Sequence, residues 1–310
     1  MTNAVVWLEE GTSKVWAVAD SLITEGGGSS ATGTVRRVTD QAMKLMRLSV
    51  GAWGSTKYTV AGGPFIGYDV GMVYAGAVTP AVMTHAAASM MLANVHPQTA
   101  TSQRIFTPTF DRVAELFRYL SERYTKDAAL AYGRQDPPLC EFVIFAIPPA
   151  QNEDVPPMDD WRDTRSDAER KEWNNKLNAG FLDCYWIHPG KNLLGEYAQV
   201  KERINLLGGE VAVIGTDTGA LRADIAQLRS ASGGKLVAQP RTALEARIRA
   251  RKHDTVGGTL QFGVMEGGKM DLFGAMQDAY GGPVKNWLGF ECDTEISPIM
   301  GMSVVIPSLD

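Results

Sequence analysis

The sequence has few of the features that mark secreted or membrane proteins. Its three cysteines, Cys140, Cys184 and Cys292, are odd in number and widely separated, which is typical of reduced structural thiols rather than of a disulfide framework. No apolar run approaches the ~20 residues of a membrane-spanning helix. The first residues also lack the basic and apolar parts of a signal peptide. We therefore expect a cytoplasmic protein with no membrane partner.

Motifs for metals, cofactors and nucleic acids are also scarce. The four histidines show no metal-ligand spacing with cysteines or carboxylates, so we predict no metal site. A net charge of −5 provides no concentrated basic surface for nucleic acid. The one basic run, residues 247–252, contains arginines on a predicted helix and is interpreted as a solvated helix end. The glycine-bounded loop 215–219 lacks both the Rossmann and the P-loop pattern, so we expect no cofactor.

The chain opens instead with a short hairpin. Residues 4–8 and 14–19 are apolar strands joined by a turn, and the second strand ends at Asp20. Removal of Met1, which the small neighbour Thr2 would permit, exposes a threonine with a hydroxyl and a free α-amine. An α-amine has an unperturbed pKa near ~7.7–8.0, so it can accept the hydroxyl proton. One residue can then supply both nucleophile and base.

A cation beside this threonine would tune its chemistry. A nearby lysine lowers the pKa values of the amine and the hydroxyl, and a carboxylate can hold that lysine in place. Asp20 and Lys44 are the candidates for this pair. Arg36 and Arg37 are alternative cations, but an arginine stays charged and cannot share a proton as a lysine can.

Three segments carry a family resemblance. Residues 15–24 (VWAVADSLIT), 44–48 (KLMRL) and 72–77 (MVYAGA) resemble the opening of a proteasome β-type subunit, a family that includes the HslV-like peptidases. That family places a catalytic threonine first, an Asp-Ser pair at the end of the second strand, a lysine on the third strand and a glycine at the end of the fourth. The same order occurs here.

The resemblance implies a role for each matching residue. Thr2 would be the nucleophile, Asp20 and Lys44 its charge partners, and the Gly76 N–H the donor that stabilises the oxyanion. Where the family has a serine near the threonine, Thr216 or Thr218 must serve here.

Two positions depart from the family pattern. The family places an aspartate and a Ser-Gly-Gly before the last hairpin. In this sequence Asp254 lies one position closer to Gly257 and Gly258 than the family's aspartate does to its glycines, and Val256 takes the place of the serine. Thr255 could supply the missing hydroxyl. Leu22 stands where many members have arginine. Both departures concern the expected activity more than the expected fold.

The resemblance and the order of predicted elements imply one domain over residues 1–310. Its fold class would be a four-layer α/β/β/α sandwich of the N-terminal nucleophile (Ntn) hydrolase type, with insertions near 49–69 and 148–180. Helices are predicted over 80–95 and 110–124, and a strand, tight turn and strand over 183–194.

The function implied is a threonine-type peptidase or amidohydrolase that forms an acyl-enzyme on Thr2. Its partners would be a peptide or protein substrate, further copies of the chain in a ring-type homo-oligomer, and an ATPase or unfoldase. Two alternatives stay open, a catalytically inactive self-assembling scaffold and a small-molecule amidase on the same fold.

Overall fold

The computed structural model of the 310-residue chain describes most of the predicted elements. The described residues are 2–25, 36–52, 66–93, 95, 108–131, 133, 137–148, 182–250, 253–273, 275–279, 282–287 and 290–291. The insertion predicted near 148–180 therefore lies almost wholly outside the described residues, as does the middle of the one near 49–69.

Fifteen strands lie in the described part of the chain. They are β1 (Asn3–Leu8), β2 (Val15–Asp20), β3 (Ile23–Glu25), β4 (Arg36–Thr39), β5 (Leu45–Ala52), β6 (Ile66–Gly76), β7 (Cys140–Ala146), β8 (Asp183–Lys191), β9 (Tyr197–Arg203), β10 (Val211–Gly215), β11 (Leu260–Glu266), β12 (Lys269–Phe273), β13 (Ala275–Ala279), β14 (Gly282–Trp287) and β15 (Phe290–Glu291).

Four α-helices accompany them, namely α1 (Val78–Leu92), α2 (Phe110–Ala131), α3 (Thr218–Ala231) and α4 (Gln239–Ala250). Both helices predicted near 80 and 110 are present. Pro80 lies in the first turn of α1, where the missing N–H has no intrahelical acceptor to lose. In the described residues, no helix combines the length and apolarity that a membrane crossing requires.

The strands form two five-stranded antiparallel sheets. The first has the order β10-β1-β2-β11-β12 and the second the order β5-β6-β7-β8-β9. A two-stranded sheet, β3-β4, and a three-stranded sheet, β13-β14-β15, lie apart from these. Gly267 and Gly268 form the turn between β11 and β12.

Three apolar clusters form the core. One joins the second sheet to α1 and α2, with Met72 and Phe117 among its buried members. Another joins the first sheet to α3 and α4 and includes Trp7 and Leu221. The third is shared by the two five-stranded sheets and includes Val6. Successive residues of β1 belong to opposite clusters because strand side chains alternate between the two faces of a sheet.

The fold class predicted from the sequence is corrected by this arrangement. The four-layer α/β/β/α sandwich of the Ntn type is wrong as a description, because it allows for only two sheets, whereas the described chain is mainly antiparallel strand in four separate sheets with four helices. Strands β13, β14 and β15 pair with one another in a sheet of their own.

The hairpin predicted over 183–194 is also corrected. Pro189 and Gly190 remain inside β8, paired with Gln199 and Ala198 of β9. The turn follows at residues 192–196, where the side-chain oxygen of Asn192 accepts the backbone N–H groups of Leu194 and Glu196. Asparagine side chains are well suited to this local bonding.

Candidate active site

A buried ion pair lies where the first and second sheets meet. Lys44 Nζ is 3.1 Å from Asp20 Oδ1, and the two side chains are 1% and 0% exposed. Lys44 Nζ also donates to the backbone carbonyl of Leu22. The ammonium thus has two oxygen partners in a site without solvent access.

Backbone N–H groups hold the Asp20 carboxylate from two sides. Asn3 N donates to Oδ1 at 3.0 Å, and Gly257 N donates to Oδ2 at 3.0 Å. The first of these amides belongs to the residue that follows Thr2. The carboxylate therefore links the start of β1 to the loop before β11 and to the lysine.

Burial moves both groups of the pair toward their neutral forms. It raises the pKa of the Asp20 carboxyl, and the attraction of Lys44 and the two amide bonds lower that pKa by less. Burial likewise lowers the pKa of the Lys44 ammonium, against the attraction of Asp20. A lysine with a depressed pKa releases its proton more readily than an exposed lysine does.

Gln261 fixes the backbone that presents Lys44. Its side-chain oxygen accepts the N–H groups of Lys44 and Leu45 at 2.9 and 3.1 Å, and its side-chain nitrogen donates to the Ala42 carbonyl at 2.6 Å. Gln261 is 1% exposed, so these bonds are made without competition from water. Sequence reasoning missed this residue.

Thr2 is 3% exposed and precedes Asn3, whose N–H binds Asp20. Ala4 and Val6 belong to the cluster shared by the two sheets, so alternation places Thr2 on that same face of the first sheet. Thr216 N donates to the Thr2 carbonyl at 2.8 Å. The chain at Thr2 is therefore fixed on both sides, by the Asn3 amide on Asp20 and by Thr216.

The loop that carries Thr216 is closely fitted to Thr2. Gly215 has φ +105, and a Cβ at this position would overlap the Thr2 carbonyl oxygen. The Thr216 hydroxyl is 3.2 Å from that of Thr255. Of the two threonines considered from sequence, Thr216 makes these contacts, while Thr218 begins α3.

A carboxylate from the second sheet also reaches this loop. Glu141 Oε1 accepts Gly215 N at 2.9 Å, and Oε2 accepts the indole N–H of Trp186 at 3.0 Å. Burial raises the pKa of Glu141. This residue, which has no local signal in the sequence, ties the edge of the first sheet to the second.

Gly76 ends β6, the strand beside Lys44, where Tyr74 N donates to the Lys44 carbonyl at 3.3 Å. Its φ is +98, and a Cβ would overlap the Leu139 carbonyl oxygen, so the position requires glycine. Its backbone thus lies at the Lys44 end of the second sheet. The oxyanion role predicted for its N–H stays a prediction.

The other sequence candidates are less well placed. The Asp254 side chain is exposed in the turn before β11, and its neighbour Thr255, not Asp254, contacts Thr216. Val256 is 3% exposed and belongs to the core beside α3 and α4. Arg36 and Arg37 have exposed side chains on β4, so Lys44 and not an arginine pairs with Asp20.

Comparison with known proteins gives a structural likeness only. No family profile and no curated protein matches the sequence. The structure is similar to an Anbu mutant from Hyphomicrobium sp. strain MC1, with a TM-score of 0.44, 10% identity, and 97% of this chain and 92% of that chain covered. It is also similar to Anbu, an ancestral β-subunit, from Yersinia bercovieri, with a TM-score of 0.43, 10% identity, and 85% and 81% covered.

A third similar structure is described as the helical assembly of the Anbu complex from Pseudomonas aeruginosa. Its TM-score is 0.41 at 11% identity, with 96% of this chain and 90% of that chain covered. These names correct the resemblance indicated by the sequence, because the similar structures named above are Anbu proteins and none is named as a proteasome β subunit or an HslV-like peptidase. The three segments behind that resemblance are short and surround one ion pair.

No cluster of three or more His, Cys, Asp or Glu side chains suited to a metal occurs in the described parts of the chain. The site is thus a buried threonine, a lysine–aspartate pair and a set of backbone donors. Each of these groups can move a proton or stabilise charge.

Proposed function

We propose that this chain is an amidohydrolase that cleaves peptide bonds with Thr2, once Thr2 is the first residue of the mature chain. The observation that carries the proposal is the buried Lys44–Asp20 pair, whose carboxylate also binds the amide of Asn3. Removing two charges from water costs stability, and replacing such a pair with apolar residues is often neutral or stabilising. A pair of this kind beside a threonine therefore favours a role in chemistry.

The reaction follows from the groups present. The α-amine of Thr2 takes the hydroxyl proton as Oγ bonds to the substrate carbonyl carbon, and the resulting ammonium gives that proton to the leaving amine. The C–N bond breaks and an ester on Thr2 remains. The amine then takes a proton from water as the hydroxide bonds to the ester carbonyl carbon. The bond from that carbon to Thr2 Oγ breaks, Oγ takes the proton back from the ammonium, and the carboxylic acid leaves. Lys44 favours the deprotonated hydroxyl, and a backbone donor such as the Gly76 N–H would stabilise the oxyanion.

Hydrolysis of fluorogenic peptide amides by protein that begins at Thr2 tests the proposal. We expect turnover by the native sequence and by Thr2→Ser, which keeps the hydroxyl and the amine. We expect none from Thr2→Ala, although its circular dichroism and thermal unfolding match the parent. Equal hydrolysis by Thr2→Ala would attribute the activity to another site or a contaminant and would end the proposal.

A second candidate, a non-catalytic subunit of an assembly, is favoured by one observation. Asp254 is exposed and Val256 is buried in the core, so the hydroxyl and carboxylate that the resemblance implied for these positions are missing beside Thr2. This candidate predicts that protein beginning at Thr2 hydrolyses no peptide amide and forms no covalent adduct. The same assay therefore separates the two candidates.

Self-association is proposed for either candidate. The fifteen residues of α1 carry no charge, and its solvent side exposes Val82, Met83, Met90 and Met91. A helix that is apolar on all sides is usually covered by another element. Native mass spectrometry should give a homo-oligomer that Met83→Glu dissociates, whereas a monomer at micromolar concentration would contradict this. An unfoldase partner and a cytoplasmic location remain predictions from the sequence.

A further inference from the structure

The residue after Thr216 has an unusual backbone conformation. Asp217 has φ +50, and it is the one non-glycine residue with positive φ in the described residues. This left-handed region is unfavourable for L-residues other than glycine, although aspartate and asparagine tolerate it best. Asp217 precedes α3, yet its carboxylate makes no capping bond to the helix. Some other contact must hold this conformation.

Arg247 supplies contacts to both the backbone and the side chain of Asp217, and His253 Nε2 lies 3.5 Å from Asp217 Oδ2. Arg247 belongs to the basic run interpreted from sequence as a solvated helix end, but its side chain is 5% exposed, so that interpretation is wrong for this residue. Its Nη1 donates to the Asp217 carbonyl at 3.4 Å, and its Nη2 lies 3.6 Å from Asp217 Oδ2. Its Nε donates to Asp224 Oδ2 in α3 at 3.1 Å. The guanidinium therefore binds both the backbone and the side chain of the strained residue and anchors them to α3.

We propose that Arg247 is a positioning residue for Thr2. By holding Asp217 in the left-handed conformation, it aims the Thr216 N–H at the Thr2 carbonyl, the 2.8 Å bond that fixes the nucleophile from the loop side. The inference rests on the proposed function for its effect on catalysis. The effect on the Thr216 amide does not depend on that function.

The geometry favours arginine at this position over any other cation. One planar guanidinium reaches two carboxylates and a carbonyl at once, whereas a lysine ammonium is a single point of attraction on a flexible stem. Lysine at 247 can therefore satisfy one carboxylate but not both. Arg247→Lys therefore keeps the positive charge but loses the planar guanidinium geometry, whereas Arg247→Gln loses both.

The test measures acylation by a β-lactone in protein that begins at Thr2. The variants compared are Arg247→Lys, Arg247→Gln and Asp217→Asn. The last of these keeps the preference of residue 217 for the left-handed region but loses its negative charge. Arg241→Gln is the matched control, since Arg241 is in the same helix and pairs with Glu245 across one helical turn at the surface. Hydrogen exchange of the Thr216 amide, followed by NMR on threonine-labelled protein, gives a readout that does not require activity.

We expect Arg247→Gln to slow the first-order acylation step and to speed exchange of the Thr216 amide, each by about 10–100-fold, the loss typical of a charge-assisted bond. The lactone concentration for half-maximal rate should not change. Arg247→Lys should change the acylation rate and the exchange rate in the same directions but by smaller factors. Asp217→Asn should resemble Arg247→Gln, and Arg241→Gln should resemble the parent.

The outcomes separate this inference from the proposed function. If the parent reacts and Arg247→Gln and Asp217→Asn react equally fast, the positioning role is refuted and the hydrolase stands. If no protein reacts but the Thr216 amide responds as expected, the positioning role stands and the hydrolase is refuted. If Arg247→Gln does not fold, Asp217→Asn decides, and a Thr216 amide that it leaves fully protected overturns the inference.

Discussion

Lys44→Met removes one partner of the buried pair and leaves the Asp20 carboxylate without its ammonium. At 3.1 Å, and with an effective dielectric constant of about 20, the attraction lost is about 5 kcal/mol. Breaking a buried pair in this way typically destabilises a protein by about 3–5 kcal/mol. We therefore expect the free energy of unfolding at pH 8 to fall by that amount. Lys14→Met is the control, because Lys14 and Glu266 are 39% and 57% exposed and such pairs contribute about 0–1 kcal/mol.

The deficit of Lys44→Met should depend on pH in a known direction. Burial raises the pKa of Asp20 above 3.8 in the folded chain, so the folded chain binds more protons than the unfolded chain between 3.8 and the folded pKa. The contribution of Asp20 to stability is therefore largest below 3.8 and is lost as pH rises through its folded pKa. Without Lys44 the folded pKa rises further, so the deficit should grow from pH 4 to pH 8 and shrink toward acid.

Urea unfolding followed by tryptophan fluorescence at several pH values measures this deficit. A fall of less than 1 kcal/mol at pH 8 would refute the reasoning, because it would mean that the pair is solvated or absent. A deficit that grows toward acid would refute the assigned direction of the Asp20 pKa shift. The Lys14→Met control should follow the parent at every pH.

Two further predictions concern the loop at the site and the buried thiols. Gly215→Ala should destabilise the protein by about 2–5 kcal/mol, the sum of left-handed strain and overpacking. Gly219→Ala adds a methyl group in open space in the first turn of α3, so it should be neutral or stabilising in the same urea titration. Equal effects of the two substitutions would contradict the close fit of Gly215 to Thr2. Burial raises the pKa values of Cys140 and Cys184. In a Cys292→Ser variant, iodoacetamide at pH 8 should therefore label neither thiol in the folded protein and both in urea. Rapid labelling without urea would show that the strands carrying these thiols open.

The part of the site that local sequence could reveal is the hairpin and its charges. Asp20 ends a strand and Lys44 precedes another, and the structure pairs them as predicted. Leu22 shows why a side-chain departure can be harmless, since its contribution is a backbone carbonyl that accepts the Lys44 ammonium. Any residue that keeps the backbone in place could make that contact.

Other parts of the site depend on contacts between distant segments. Gln261 bonds to backbone more than two hundred positions away, and in the sequence it is one polar residue within an apolar strand. Arg247 lies among basic residues that suggest solvent, yet its side chain is buried and pairs with Asp217 and Asp224. The sequence offered no local signal for either residue, because the partners that decide their roles are set by the fold.

The fold class was missed for a related reason. The helical periodicity of residues 110–124 identifies that helix locally, whereas the number of sheets depends on which strands pair. Among the described residues, strands β13, β14 and β15 pair with one another and with no other strand, and no pattern in their sequence specifies that choice. The tight turn predicted within 183–194 likewise forms later, at residues 192–196 around Asn192.

Intact mass of protein that begins at Thr2, before and after incubation with a β-lactone, tests the central claim most directly. The account predicts a single adduct, located by peptide mapping on Thr2, and no adduct in Thr2→Ala or Lys44→Met protein that remains folded. An unmodified mass after prolonged incubation, or an adduct that persists in Thr2→Ala, would contradict the claim that this threonine is an activated nucleophile.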